Sequence, residues 1–140
     1  MRVLVIDDDD TVRDAVSLML QSMGHEAIAA DGGIAGLKLV HAEAPDIIIT
    51  DILMPDMEGI EAIFRIKEFK EDAKIIAMSG GGSTRGLDLL KLAHRAGAAS
   101  TLSKPFGRDE LTVAIAIAER APENSGFHQK ITAFAEALAG

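Results

Sequence analysis

The run Ile47-Ile48-Ile49-Thr50 constrains the fold of this chain more than any other stretch. Four β-branched residues stand in a row between Pro45-Asp46 and Asp51, and Met54-Pro55-Asp56 follows as a breaker. Such side chains favour extended backbone. A run with no polar alternation needs cover on both faces, the environment of a strand inside a parallel sheet. Parallel neighbours in turn need crossovers between them, usually helical.

The rest of the chain meets that demand. Val3–Ile6, Ala27–Ala30, Lys74–Ser79 and Ala98–Ser103 read as further strands, the last less apolar, as an edge position allows. Between them apolar residues recur at helical spacing: Val12, Ala15, Val16, Met19, Leu20 and Met23; then Ile34, Leu37, Leu39 and Val40. A third helix is predicted from about Gly59 to Phe69, with Ile60, Ile63, Phe64 and Ile66 on its buried side. Leu87, Leu89, Leu90 and Leu92 mark a fourth, and Leu111, Val113, Ile115 and Ile117 a fifth. Thr11 with Asp14 reads as a capping box for the first helix, with Asp10 as the other candidate cap, and Gly24 as its terminator. Five strands alternating with five helices define a doubly wound α/β sheet with right-handed crossovers.

Residues 1–121 are expected to form this one domain, and Pro122–Gly126 breaks the pattern. In the extension, residues 122–140, Phe127, Ile131, Phe134 and Leu138 fall on one face of a predicted short amphipathic C-terminal helix. Its expected roles are docking on the domain, homodimerisation, or connection to a further segment.

Several function classes are excluded by composition. Without cysteine there are no disulfides, thiolate metal sites or cysteine nucleophiles. A formal net charge of −8, with no Trp or Tyr, argues against nucleic-acid binding. No apolar run approaches the ~20 residues that span a bilayer, and the N-terminus enters a strand without a leader pattern, so a cytoplasmic location is expected. His25, His41, His94 and His128 show no metal-ligand spacing.

Chemistry is concentrated at the strand ends. Strands one, three, four and five end in Asp7-Asp8, Asp51, Ser79 and Lys104. In a sheet ordered 2-1-3-4-5, strands one and three flank the topological switch point, where open α/β sheets bind ligands. Three carboxylates there repel one another unless a cation joins them. Hard oxygen donors without His or Cys suit Mg²⁺. An aspartate can act as a phosphoryl-accepting nucleophile. Lys104 and Ser79 would hold the transferring phosphoryl oxygens, since phosphoryl transfer depends chiefly on positioning and charge neutralisation.

With these residues in place, the sequence resembles the receiver domain of bacterial two-component response regulators over about residues 1–120. The matching marks are Val3-Leu4-Val5-Ile6-Asp7-Asp8, Asp51-Ile52-Leu53-Met54-Pro55 with Gly59, Ser79, and Lys104-Pro105-Phe106. The resemblance implies the flavodoxin-like, CheY-like sheet in 2-1-3-4-5 order. It implies that Asp51 accepts phosphate from a sensor histidine kinase or a histidine phosphotransfer protein. Mg²⁺ would be held by Asp8, Asp51 and the Leu53 backbone carbonyl, with Asp7 acting through water. A cis Lys104-Pro105 bond is also implied, as are signalling through an unidentified protein target and no enzymatic activity beyond self-phosphorylation and self-dephosphorylation.

The chain departs from the family pattern at Thr101, where an aromatic residue is common. The usual hydroxyl–aromatic coupling is therefore not expected, and Gly80-Gly81-Gly82 is the expected carrier of a phosphorylation-dependent change. Leu53 and Gly81 offer no charged side chain to guide an attacking water, so slow self-dephosphorylation is expected. The tail after Pro122 is too short and too weakly basic for a DNA-binding module, which leaves a stand-alone receiver or part of a longer protein.

Three rivals exist. Asp7-x-Asp9-x-Thr11 after a strand also matches the haloacid-dehalogenase-like phosphatases, with Asp7 as nucleophile and Asp9 as acid/base; no downstream acidic pair follows Lys104. Gly32-Gly33-x-x-Gly36 suggests a nucleotide-binding module but lacks the full glycine fingerprint. A phosphorylation-independent scaffold is the third, disfavoured by the complete acidic, hydroxyl and lysine set.

Overall fold

The computed structural model describes residues 1–54, 57, 59–80, 84–121 and 138, with nothing of the side chains of residues 84–87. Pro55, Asp56, Gly81, Gly82 and the predicted C-terminal helix with Phe127, Ile131 and Phe134 lie outside the described residues. Leu138 is described, in helical conformation and exposed.

Five strands alternate with five helices: β1 (Arg2–Ile6), α1 (Asp10–Ser22), β2 (Glu26–Ala30), α2 (Gly33–Glu43), β3 (Ile47–Asp51), α3 (Gly59–Phe69), β4 (Lys74–Gly80), α4 (Thr84–Ala96), β5 (Ser100–Lys104) and α5 (Arg108–Arg120). The strands form one sheet in the order β2-β1-β3-β4-β5, and every pairing is parallel. All five residues of β3 are buried, as its unbroken apolar run requires.

Alternate side chains of each strand feed two cores. Leu4, Ile6, Ile48 and Ile75 pack with Val40, Ile63, Ile66 and Leu90, so α2, α3 and α4 cover one face. Val3, Val5, Ile47, Ile49, Ile76 and Met78 pack with Val16, Leu20, Leu111 and Ile115 of α1 and α5 on the other. Covering both faces with helices leaves the strand ends as the edge where loops and polar groups gather.

Local chemistry sets the α1 boundaries. Neither Thr11 nor Asp10 is the cap. Asp9 has extended backbone, and its carboxylate accepts from the Thr11 and Val12 amides. Asp10 lies in the first turn, where a negative charge meets the positive helix terminus. At the other end Gly24 takes φ 87°, the His25 amide donates to the Leu20 carbonyl and the Gly24 amide to Gln21. That pair of bonds is the Schellman closure, and the left-handed turn suits glycine.

The apolar residues that mark a helix in the sequence do not all lie on its buried face. In α5 the buried stripe is Leu111, Ala114, Ile115 and Ala118, whereas Val113 and Ile117 face outward. Helical spacing of three and four decides this: the two alanines share the inner face with Leu111 and Ile115, and positions two apart do not. Ile34 in α2 is likewise exposed. Strand β5 begins at Ser100, although the Ala99 amide already donates to the Ile75 carbonyl. No helix among the described residues is long and apolar enough to cross a membrane.

Candidate active site

Register brings the acidic groups together. Ile6 of β1 pairs with Thr50 of β3, so Asp7 and Asp51 follow on neighbouring strands. Asp7 is fully buried and Asp51 nearly so, while Asp8 is exposed. Asp7, Asp8 and Asp51 each offer a carboxylate oxygen within 4.8 Å of the others'. The Asp7 amide donates to the Ala30 carbonyl (3.2 Å), extending the β1–β2 ladder one residue and holding Asp7 at the sheet edge.

Lys104, the last residue of β5 and paired in register with Gly80, reaches into this cluster. Its Nζ donates to Asp7 Oδ2 at 2.9 Å and lies 3.5 Å from Asp51 Oδ1. The Lys104-Pro105 peptide is cis, as the resemblance implied. Asp7 Oδ1 accepts from the Asp9 amide at 2.9 Å, so both Asp7 oxygens are engaged. Burial pushes the Asp51 carboxyl above its ordinary pKa despite the pull of Lys104, and the charge of Asp7 adds to the rise. For Lys104 burial acts to lower the pKa, but the hydrogen bond to Asp7 and the charges of Asp51 and Asp7 outweigh it, leaving the ammonium above its ordinary value.

Ser79 stands near the end of β4, and its buried Oγ has no hydrogen-bond partner among the described residues. An unpaired buried hydroxyl is costly, and one at a strand end beside this cluster suits an incoming acceptor oxygen. Behind Asp51, the amide of Gly59 donates to the Ile52 carbonyl at 3.1 Å, seating α3 against the β3 exit. The donor set fits a small hard cation. It consists of carboxylate oxygens alone, and like charges this close together, two of them buried, favour a divalent partner.

Two sequence expectations are redrawn here. Asp9 is spent on capping α1, which leaves the haloacid-dehalogenase-like reading without its acid/base. Gly36 allows close packing of α2: an added β-carbon would fall 2.4 Å from Ile6 Cδ1, so a packing need accounts for this glycine of the nucleotide-like motif. Thr101 is exposed on β5. Arg13 was not singled out from the sequence. Its guanidinium donates to the Asp7 carbonyl at 2.7 Å and pairs with the Asp10 carboxylate. Only the spacing of Asp10 and Arg13 on one helix face signalled any of this.

Residues 3–116 match the family model described as the response regulator receiver domain. Sporulation initiation phosphotransferase F of Bacillus subtilis (strain 168) is 30% identical over 114 residues, 81% of this chain and 90% of that protein. Response regulator MprA of Mycobacterium avium (strain 104) is 31% identical over 115 residues, covering 79% of this chain but 47% of that protein, so the chain spans about half of this longer relative. A response regulator receiver domain protein from Clostridium thermocellum superimposes with a TM-score of 0.77 at 31% identity, covering 84% of this chain and 92% of that one. The chain belongs to the response regulator receiver family, whose general mechanism is phosphorylation of an aspartate. Receiver domains bind Mg²⁺ in an acidic pocket, and Asp7, Asp8 and Asp51 form an acidic cluster here.

Proposed function

We propose that Asp51 is the phosphoryl acceptor of this receiver, that residues 1–121 form the receiver unit, and that the phosphoryl group comes from a histidine kinase or a histidine phosphotransfer protein. The observation that carries the assignment is Lys104, whose ammonium reaches both Asp7 and Asp51 from the opposite side of the sheet edge. An Asp51 oxygen forms the new P–O bond as the donor's P–N bond breaks, and the electron pair leaves with the imidazole. Lys104 neutralises charge on the phosphoryl oxygens, and the Ser79 hydroxyl donates to one of them. Mg²⁺ would be held by Asp8, Asp51 and the Leu53 carbonyl. Asp7, with both oxygens engaged, would act through water. Bound Mg²⁺ supplies neutralisation of the anionic oxygens.

The test is to label the full chain with a small phosphodonor in Mg²⁺, trap the acyl phosphate and map it by mass spectrometry. Modification of Asp51 is expected. Modification of Asp7 would instead favour a phosphatase-like nucleophile. Absence of label, from small donors and from phosphorylated phosphotransfer proteins alike, would leave an interaction scaffold.

The donor protein is expected to dock on α1. Leu18 is exposed there, and the same helix lines a groove of about 430 Å³ with Val12, Ala15, Met19, Lys104 and Phe106. Replacing Leu18 with Glu should slow phosphotransfer from a cognate protein at least about tenfold, the loss of roughly 1.4 kcal/mol of apolar contact. Labelling by a small phosphodonor should not change. Equal loss with both donors would place the effect on the fold instead.

Leu53 is half exposed beside Asp51 and brings no charge or amide to orient a water. The phosphorylated form should accordingly persist well beyond seconds after the donor is removed. A decay complete within seconds would contradict this.

We infer no enzymatic role beyond these self-reactions. Output passes through contact with another protein, with the extension as a candidate homodimer element.

A further inference from the structure

The turn that carries Asp7 and Asp8 is held on three sides. The Asp7 amide is tied to β2, its carboxylate to the Asp9 amide and Lys104, and its carbonyl to Arg13. Arg13 stands one helical turn into α1, and its side chain is mostly buried, 16% exposed. One guanidinium nitrogen, Nη1, takes the Asp7 carbonyl, and the other, Nη2, takes the Asp10 carboxylate. A rigid planar fork presents two donors at a fixed spacing and so fixes the geometry between the two acceptors, whereas an ammonium offers rotatable donors at a single point.

We propose that Arg13 is a positioning residue for the acidic turn: by clamping the Asp7 carbonyl to the first turn of α1 it aims Asp7 and Asp8 at Asp51, and so sets the affinity of the site for a divalent cation. The inference rests on the metal-binding reading of this cluster given above. It makes a prediction opposite in sign to simple electrostatics. A cation near a cation site repels the incoming ion, so deleting it should tighten binding if charge were all that mattered. Deleting a clamp should loosen binding, because carboxylates that are not held must be ordered when the ion arrives.

The experiment is a Mg²⁺ titration of the 140-residue chain as wild type, Arg13→Ala and Arg13→Lys, followed by backbone amide shifts. Melting curves in chelator establish that each variant is folded. Both variants are expected to bind Mg²⁺ about tenfold more weakly, the lower end of what losing a partner behind a metal ligand does. The lysine variant matters most, since it keeps the charge and loses the fork. The Mg²⁺ concentration for half-maximal phosphorylation should rise equally, with the rate at saturating Mg²⁺ within about twofold of wild type. In metal-free protein, exchange of the Asp9 amide, which donates to Asp7 Oδ1, should quicken in both variants. Wild-type affinity in Arg13→Lys, or tighter binding in Arg13→Ala, would overturn the proposal. If the wild type itself shows no Mg²⁺-dependent shifts, the metal reading fails instead. Asp9 exchange then decides on Arg13 alone: unchanged exchange overturns its clamping role, and faster exchange upholds it.

Discussion

Asn in place of Asp51 is expected to reduce phosphoryl labelling to background and, in chelator, to raise the melting temperature by a few degrees. The first effect follows from chemistry, since an amide oxygen is a poor nucleophile and yields no stable acyl phosphate. The second follows from the site's electrostatics. Burial, with the charge of Asp7, raises the Asp51 pKa in the folded protein above its ordinary value. A group shifted this way binds its proton more tightly when folded. Its stabilising contribution is complete below the unfolded pKa and is lost as the pH climbs through the folded one. Above the folded pKa and without metal, the ionised carboxylate is thus a net burden that asparagine removes. Lys104 keeps its closer partner Asp7 in the variant. Mg²⁺ should stabilise the wild type more than the variant, because binding to the native state adds stability in proportion to affinity. A variant that still accepts phosphate at the wild-type rate would remove Asp51 from the mechanism. One that melts lower than wild type in chelator would show that the pair with Lys104 outweighs the cost of burying the charge.

Ala at Gly59 is expected to be more damaging than Ala at Gly36, the next tightest of the described glycines. A β-carbon there would fall 2.2 Å from the Asp51 carbonyl oxygen and 2.3 Å from the Ile52 Cα, both backbone atoms that no rotamer change can move aside. Overpacking against backbone costs about 3 kcal/mol or more, a large part of the stability of a domain this size. The hydrogen bond from the Gly59 amide to Ile52 would stretch with it, so the exit of β3 and the aim of Asp51 should shift together. Urea denaturation should show a lower midpoint, and phosphorylation at a temperature where the variant is folded should also be slower. Wild-type stability in this variant would mean that α3 can ride outward freely.

Much of the fold was legible because each part is a local matter. The all-apolar β3 run, the helical repeats and Gly24 act through neighbours in sequence, and α3 begins and ends where its spacing indicated, at Gly59 and Phe69. The α1 cap was misplaced by a residue or two because Asp7 to Asp10 offer several carboxylates, and only backbone geometry selects Asp9. Val113 and Ile117 mark α5 in the sequence yet face outward, because the alanines of α5 share the buried face with Leu111 and Ile115. Lys67 shows the reverse. A lysine reads as a surface residue, yet it is buried and donates to the Glu71 and Ala73 carbonyls, where the chain leaves α3 and enters β4.

The sequence by itself nominated the residues for the proposed chemistry: Asp7 and Asp8 at the end of one apolar run, and Asp51, Ser79 and Lys104 each at the end of another. That much follows from patterning, since a strand of known period must stop where its breaker stands. Tertiary structure alone decided how those residues are engaged with one another. It engages both Asp7 oxygens, leaves the Ser79 hydroxyl without a partner among the described residues, raises the Asp51 pKa, and brings Arg13 to the Asp7 carbonyl. Those properties depend on distances and burial between segments as far apart as residues 7 and 104, and such distances come from packing across the sheet.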